Sequence, residues 1–184
     1  MPLAAIGQVA REPETPPPAP TPTYKYEAVV GYSYTSLNQV NLSRYGLQGV
    51  QFGVARDWGK HFGILAMGDE YKWATSTGNP GNPSVTSVLA GPQFRFTLFG
   101  PIDVYFRGLL GGEHTGGESE TPSVSFAGGF GGGAEYRLSP HLSLRAVGDR
   151  VGAAFSVAGN TPGLAYSPHT TLNSRGTFAV VYRF

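Results

Sequence analysis

Charged side chains recur at alternate positions of several segments in this 184-residue chain, and they are the residues best placed to do chemistry together. Alternate positions of an extended strand point to one face, so each segment presents its charges on a single side. Carboxylates and guanidinium groups that share a face can form ion pairs, act as acids and bases, or line an ion path. The charged members of this face are Glu27, Arg95, Arg107, Glu113, Glu135, Arg137, Arg145, Asp149 and Arg175. Because both signs are present, we interpret them as ion-pair partners rather than as catalytic or conducting groups.

Two other patterns contain the residue types of a binding site. Residues 129–134 match the letters of the dinucleotide fingerprint G-x-G-x-x-A, which needs a helix N-terminus behind it to hold the pyrophosphate. A strand pattern and a Ser-Pro turn follow instead, so we interpret these glycines as space for bulky neighbours. Glu113, His114, Glu118 and Glu120 could bind a cation, although we favour a solvated polar loop. We therefore predict no cofactor, no metal ion and no catalytic residue.

The composition excludes several classes of protein. Charged residues make up 14% of the chain, against roughly 25% in soluble domains, while Gly is abundant at 27 residues. No run of 18 or more apolar residues exists, so a transmembrane helix is not expected. There is no cysteine, and a net charge of +1 gives no argument for nucleic acid. A glycine-rich and aromatic-rich chain that is poor in charge fits a membrane β-barrel.

Alternation of apolar residues predicts eight strands that position the charged face. They cover residues 24–35, 45–57, 62–73, 85–98, 102–113, 124–138, 141–151 and 175–184. Short connections (58–61, 99–101, 139–140) alternate with long ones (36–44, 74–84, 114–123, 152–171). This alternation predicts a meander with tight turns at one end and long loops at the other.

Two strands contain ambiguous positions. If the even-numbered residues of 62–73 face lipid, Glu70 and Lys72 continue that face; if the odd-numbered residues do, Asp69 lies on it. A bulge near Gly68 would resolve this conflict. In the strand 85–98, Pro92 removes one ladder hydrogen bond, and we expect a local bulge at the adjacent Gly91.

The first 23 residues differ from the rest. We interpret residues 1–10 as the remnant of a secretory signal or as non-native sequence, and residues 11–23 as a disordered Pro-rich linker. Residues 24–184 form the predicted barrel domain.

Four segments carry a resemblance to a known family: VVGYSY (29–34), LAGPQFRF (89–96), GGGAEYRLSPHLSLRAVGD (131–149) and the terminal VYRF. The chain resembles the eight-stranded OmpA-type outer-membrane β-barrel superfamily, in the variety that lacks a peptidoglycan-binding domain. The resemblance implies an all-β, antiparallel, up-and-down transmembrane barrel in the bacterial outer membrane, with both termini periplasmic and four loops outside. It also implies contact with outer-membrane lipid and lipopolysaccharide, and we expect a monomer.

The resemblance further assigns roles to aromatic and charged residues. Phe178, Val180, Tyr182 and Phe184 form the alternating C-terminal pattern that the barrel-insertion machinery recognises in that family. We expect a membrane-interface girdle at Tyr32, Tyr34, Trp58, Phe96, Tyr136, Tyr182 and Phe184. Eight strands enclose little more than their own side chains, so the charged face would plug the lumen. The resulting prediction is a non-enzymatic envelope or surface-interaction protein.

Three alternatives remain open. A soluble lipocalin-like barrel would need the apolar face inside and the charged face outside. His141 and Ser143 resemble the His and Ser of lipid A deacylase barrels, but they lie beside a short turn, whereas such an enzyme acts at the loop end. A narrow channel would need a path through the mixed charges of the lumen.

Overall fold

The computed structural model describes residues 24–38, 44–74, 84–116, 123–155 and 169–184, which form one closed β-barrel. Eight antiparallel strands follow one another around the barrel in chain order, and β1 pairs with β8 to close it. The strands are β1 (Tyr26–Asn38), β2 (Arg44–Trp58), β3 (Phe62–Ala74), β4 (Ser84–Phe99), β5 (Ile102–Gly116), β6 (Ser123–Arg137), β7 (Leu142–Phe155) and β8 (His169–Arg183). The predicted up-and-down barrel is confirmed. No helix in these residues is long and apolar enough to cross a membrane.

Three tight connections lie at one end of the barrel, which we call the turn end. Gly59 and Gly100 in two of them have φ angles of 80° and 53°, a region that glycine reaches without a steric penalty. Tyr26 and Phe184 also meet at the turn end, where their backbones exchange hydrogen bonds of 3.1 and 3.0 Å. We call the opposite end the loop end.

The strands run further towards the loop end than predicted. Residues 36–38, 114–116, 152–155 and 169–171 were expected in loops but pair in the ladders. Backbone pairing needs no apolar side chain, so it continues past the point where the apolar pattern stops. The remaining long connections predicted here, 39–43, 75–83, 117–122 and 156–168, lie outside the described residues.

Strand β3 turns its odd-numbered residues inward. Leu65, Met67, Asp69 and Tyr71 are buried, whereas Glu70 and Lys72 are exposed on the outside. The pairing of β2 with β3 is continuous through Gly68, and its register shifts only beside Gln48 and Gly49. A bulge at Gly68 is therefore not needed, because the even-numbered face ends in charges only near the loop end.

The bulge expected at Gly91 and Pro92 is also absent. The register of β4 against β5 is the same before this dipeptide, at Ala90 with Leu110, and after it, at Gln93 with Arg107. Towards β3, Gly91 and Pro92 pair with Leu65 and Ile64 without a shift. The missing N–H of proline therefore interrupts the ladder on one side without displacing the strand.

The barrel closes with tilted strands, so paired residues on successive strands form an oblique row. One such row, which we call the polar row, runs through Thr35, Arg175, Asp149, Gly131, Arg107, Gln93, Gly63 and Asp57. It returns to β1 near its start, where the Asp57 N–H donates to the Lys25 carbonyl at 2.8 Å. All the non-glycine side chains of this row point into the barrel.

Candidate functional site: the charged barrel interior

Glu27 is the centre of an ion-pair cluster in the half of the barrel nearer the turn end. Its Oε1 accepts hydrogen bonds from Arg95 and from Arg183, the latter at 2.8 Å, and its Oε2 accepts one from Arg145 at 2.9 Å. Only 1% of Glu27 is exposed, so little water reaches this carboxylate. Three guanidinium groups on three different strands therefore converge on one buried acid.

Two further carboxylates complete this cluster. Glu135 lies opposite Arg145 in the register and accepts from it at 2.8 and 2.6 Å, and it also accepts from Arg183. Asp57 accepts from Arg95 at 3.2 Å. We call Glu27, Asp57, Arg95, Glu135, Arg145 and Arg183 the turn-end cluster. Its charges balance, which is what burial of ions requires.

A second cluster, which we call the central cluster, joins Asp69, Arg107, Asp149 and Arg175. Arg107 forms a two-bond contact with Asp149, at 2.9 Å from Nε and 2.6 Å from Nη2. Arg175 connects Asp149 at 3.2 Å with Asp69 at 2.5 Å, and so spans the lumen from β8 to β3. This cluster is also neutral, and its paired geometry is the strong form of an arginine–carboxylate contact.

Glycines separate polar or charged neighbours within the polar row. Gly131 lies between Asp149 and Arg107, and a Cβ placed on it would overlap Asp149 Oδ1. Gly63 lies between Gln93 and Asp57, and a Cβ there would overlap Asp57 Oδ1. In each case the missing side chain lets two polar groups meet across an intervening strand, at 2.6 Å and 3.3 Å. Small residues of the interior thus determine which charges can pair.

The charged residues named from the sequence differ in their surroundings. Glu27, Arg107, Glu135, Arg145, Asp149 and Arg175 are buried in the two clusters. Arg95 belongs to the turn-end cluster with a side chain 16% exposed. Arg137 lies outside both clusters, 3.5 Å from Asp103 and 2.8 Å from the Gly100 carbonyl. Glu113 is buried as well, but within the described residues its Oε1 has no hydrogen-bond partner.

Four charged residues of the interior were not among the charged residues predicted from the sequence: Asp57, Asp69, Asp103 and Arg183. Arg183, Asp57 and Asp103 occupy the same alternate positions as the charges that were named, so the sequence pattern could have included them. Asp69 could not be assigned without the facing of β3. Its inward position is explained by three hydrogen bonds, from Gln51 at 2.8 Å, Ser87 at 2.9 Å and Arg175.

The outer surface is apolar, in contrast to the charged interior. Large apolar side chains are exposed around the whole barrel, among them Val54 at 62%, Val88 at 67% and Phe130 at 67%. Left in water, each would forgo on the order of 1.5–3 kcal/mol of burial free energy. Such a continuous exposed surface indicates an apolar environment outside the barrel.

Most residues of the expected girdle lie near the turn end. Trp58, Phe96, Tyr136, Tyr182 and Phe184 are exposed at or close to the turn-end limits of their strands. Tyr34 lies towards the loop end of β1. Tyr32 is at the midpoint of β1, so its position does not suggest an interface.

Aromatic contacts join the girdle residues near the turn end. Phe184 stacks on Tyr26 at 5.8 Å and on Tyr182 at 6.2 Å between ring centroids. The guanidinium of Arg56 lies 5.0 Å from the Trp58 ring and 5.8 Å from the Tyr26 ring. This outward cation is thereby held among aromatic faces at the turn end.

The described members of the other candidate motifs do not come together in a shared site. Ser143 faces the interior and accepts from Arg183 at 2.8 Å, while His141 is exposed at the turn end, with Nδ1 2.9 Å from the Arg183 carbonyl. The glycines of residues 129–134 form part of β6, and no helix follows them. Glu118 and Glu120 lie outside the described residues, and the described His114 points outward, away from the buried Glu113.

The geometry of the interior is better suited to holding the barrel walls together by ion pairs than to catalysis. The carboxylates and guanidinium groups of the two clusters are already paired. A cluster of buried apolar residues lies in the same interior: Ala55, Leu65, Met67, Leu89, Leu109, Ala127, Val151 and Ala153. The Arg145 guanidinium is further held 4.8 Å from the Tyr105 ring. A mouth of about 870 Å³ opens at the turn end beside Asp57, Lys60 and Arg137.

Comparison with known proteins identifies solved structures that share this fold. No protein-family model matches the sequence, and no curated protein matches it. Neisserial surface protein A is similar in structure, with a TM-score of 0.70 and 12% identity over 86% of this chain and 97% of that one. Ail, the attachment invasion locus protein of Yersinia pestis, has a TM-score of 0.60 and 15% identity over 88% and 100%. A major outer membrane protein from Thermus thermophilus has a TM-score of 0.56 and 15% identity over 86% and 99%.

These likenesses define the class of protein by its fold. The chain has the fold of the small eight-stranded outer-membrane β-barrels. The resemblance inferred from the sequence is therefore confirmed at the level of the fold.

Proposed function

We propose that this chain is an integral protein of the bacterial outer membrane, with a structural or surface-interaction role and no catalytic activity. The observation that carries the proposal is the division of the two faces: charges are paired inside, and large apolar side chains are exposed outside. The strands contain 13 to 16 residues, more than the ~9–11 that cross a bilayer at a tilt. Burial of the outer face in lipid therefore accounts for the exposed apolar side chains, which contact with water would not.

The lumen is proposed to be plugged. The turn-end and central clusters bridge opposite walls of the barrel, and the apolar cluster lies in the same interior. Opening a path through them would separate buried ion pairs and leave charges without partners, which is strongly unfavourable. This cost favours a closed barrel over a conducting one.

We propose that the turn end faces the periplasm, with both termini there, and that the loop end faces outward. Short turns on the periplasmic side are the rule in membrane barrels. In this orientation the loop-end connections would meet the surroundings of the cell. Similar structures include proteins named for a surface location and for attachment and invasion, which supports a surface role.

Partners of two kinds follow from this proposal. Outer-membrane lipid and lipopolysaccharide would cover the outer face. The barrel-insertion machinery would read Phe178, Val180, Tyr182 and Phe184, which share the outward face of β8 and its end and are all exposed. We further propose that the barrel acts as a monomer, since its sheet closes on itself and leaves no free edge.

The alternatives fit the geometry less well. A lipocalin-like barrel would place apolar groups inside, yet ion pairs occupy the interior described above. A lipid-modifying enzyme would need His141 and Ser143 to act together at the loop end, yet both lie at the turn end and contact Arg183 instead.

The test is a heat-modifiability gel of the refolded protein, run boiled and unboiled, with and without detergent. We expect a compact species that migrates faster and forms only with detergent or lipid. A barrel that folds equally well without any amphiphile would refute the membrane assignment.

A matched pair of variants sharpens this test. Val54→Lys adds a charge to the apolar band of β2, and Gln48→Lys adds the same charge to the same face near the loop end. In lipid, the first should lose about 2–4 kcal/mol of stability and the second about 0–1 kcal/mol. Equal effects of the two lysines would indicate that no hydrocarbon surrounds β2.

A further inference from the structure

Arg150 occupies an unusual place on the outer surface. It points outward from β7, where it pairs with Phe130 of β6 and Ser174 of β8, and Gly148 and Gly152 flank it on the same face. Its Nη1 donates to Ser174 Oγ at 2.6 Å, which fixes the guanidinium beside β8. A charged group therefore lies beside apolar and small residues of β6 and β7, namely Phe130, Gly148 and Gly152.

No protein carboxylate neutralises Arg150 in the part of the chain that the structure describes. Among those residues, the one carboxylate that points outward from a strand is Glu70 on β3. Glu70 pairs with Lys72 at 2.5 Å, and β3 lies four strands away from β7 around the barrel. Among the described residues, Arg150 thus leaves its charge available to an anion from the surroundings.

The height of Arg150 on the barrel indicates what those surroundings are. On four strands the outward residues change from apolar or small to polar or charged near the loop end: Tyr34 is followed by Ser36, Val50 by Gln48, Gly68 by Glu70, and Val88 by Thr86. Arg150 and Ser174 are likewise the first polar outward residues of β7 and β8 on the way to the loop end, although Leu172 of β8 and Phe126 and Val124 of β6 are exposed apolar residues beyond them. On the four strands this change marks the upper edge of the apolar band, where headgroups replace hydrocarbon.

We infer that Arg150 binds the phosphate of an outer-leaflet lipid headgroup. A guanidinium offers two parallel N–H donors that match two phosphate oxygens, and the apolar setting strengthens the contact. Below it, Gly148 and Gly176 have no atom within 4 Å of where a Cβ would stand, so an acyl chain can lie against the wall. The inference rests on the proposed membrane location and adds the residue and the ligand chemistry.

The experiment measures lipid binding by native mass spectrometry of the refolded protein in a zwitterionic detergent. The probe is diphosphoryl lipid A, with the dephosphorylated lipid and inorganic phosphate as comparison ligands. Arg150→Gln keeps a polar side chain and removes the charge. Lys72→Gln is the matched control, because it removes an outward cation near the same boundary that already has a protein partner. A heat-modifiability gel on every variant verifies the fold first.

The expected result is a loss of about tenfold or more in affinity for diphosphoryl lipid A in Arg150→Gln, as for removal of a charge-assisted hydrogen bond. Lys72→Gln should bind as the wild type does, and dephosphorylated lipid should not distinguish the variants. Equal binding by folded wild type and Arg150→Gln overturns the inference while the membrane assignment stands. Competition by millimolar inorganic phosphate, or a dimer that disappears in Arg150→Gln, also overturns it, in favour of a free anion or a second copy. A chain that does not fold in detergent refutes the proposed function instead.

Discussion

Replacing Glu27 by glutamine should be among the most damaging isosteric changes in this barrel. Glu27 accepts from Arg95, Arg145 and Arg183, and the glutamine amide would turn N–H groups towards guanidinium N–H groups. The turn-end cluster would then hold three guanidinium groups against two carboxylates. Leaving a buried charge without its partner costs about 3–5 kcal/mol. With a urea slope of about 2 kcal/mol per molar, the unfolding midpoint should fall by about 2 M.

The assay is reversible urea unfolding in lipid vesicles, followed by tryptophan fluorescence and by the gel mobility of the folded form. Glu70→Gln is the control, since its ion pair with Lys72 is half exposed and should be worth less than about 1 kcal/mol. Adding Arg183→Gln to Glu27→Gln restores neutrality, so the double variant should lose less stability than the sum of the single losses. Strict additivity, or a Glu27→Gln shift no larger than that of Glu70→Gln, would show that the pairs do not act as one cluster.

Three further predictions concern the interior glycines, the terminal strand and the lumen. Gly131→Val should displace Asp149 from Arg107 and lower the free energy of unfolding in urea by about 3 kcal/mol. The control Gly148→Ala, which has open space around its Cβ, should lower it by less than about 0.5 kcal/mol. Similar losses in the two variants would refute the role of Gly131 as a spacer. Phe184→Ala should lower the amount of protein recovered in outer-membrane fractions without preventing refolding in detergent. The control Leu172→Ala, at the other end of β8, should leave this recovery unchanged. Equal recovery of the two variants would contradict a terminal recognition signal. In planar bilayers the wild type should give no stable open-pore current, and regular conductance steps would contradict a plugged lumen.

The alternation of side chains was enough to predict the strands and most of their faces. Inside a closed barrel every second residue is buried, so period-two patterns map directly onto the two faces. The turns were equally readable, since Trp58-Gly59 and Phe99-Gly100-Pro101 combine aromatic strand ends with glycines that have positive φ angles. The pattern weakened near the loop end, where ladder pairing continues without apolar side chains, and there the strands were predicted too short.

The facing of β3 and the ion-pair map were not predictable in the same way. Both faces of β3 contain an acid, so the choice between Asp69 and Glu70 depends on what neighbouring strands offer. Asp69 has Gln51, Ser87 and Arg175 as inward partners, and Glu70 pairs with Lys72 of its own strand. Which arginine meets which carboxylate depends on register and on gaps such as Gly131, and register is a property of strand pairs.

The seam between β1 and β8 has a consequence for the order in which the barrel assembles. Glu27 meets Arg183 across this seam, 156 residues away along the chain, and meets Arg145 at a separation of 118. Until the first and last strands join, these arginines lack Glu27, and under the proposed membrane location the sheet would carry unmatched charge into a nonpolar phase. Closure of the barrel and neutralisation of these arginines therefore occur together, so a sheet in which β1 and β8 are not yet paired is an unfavourable intermediate. Such long-range contacts also make the final step slow.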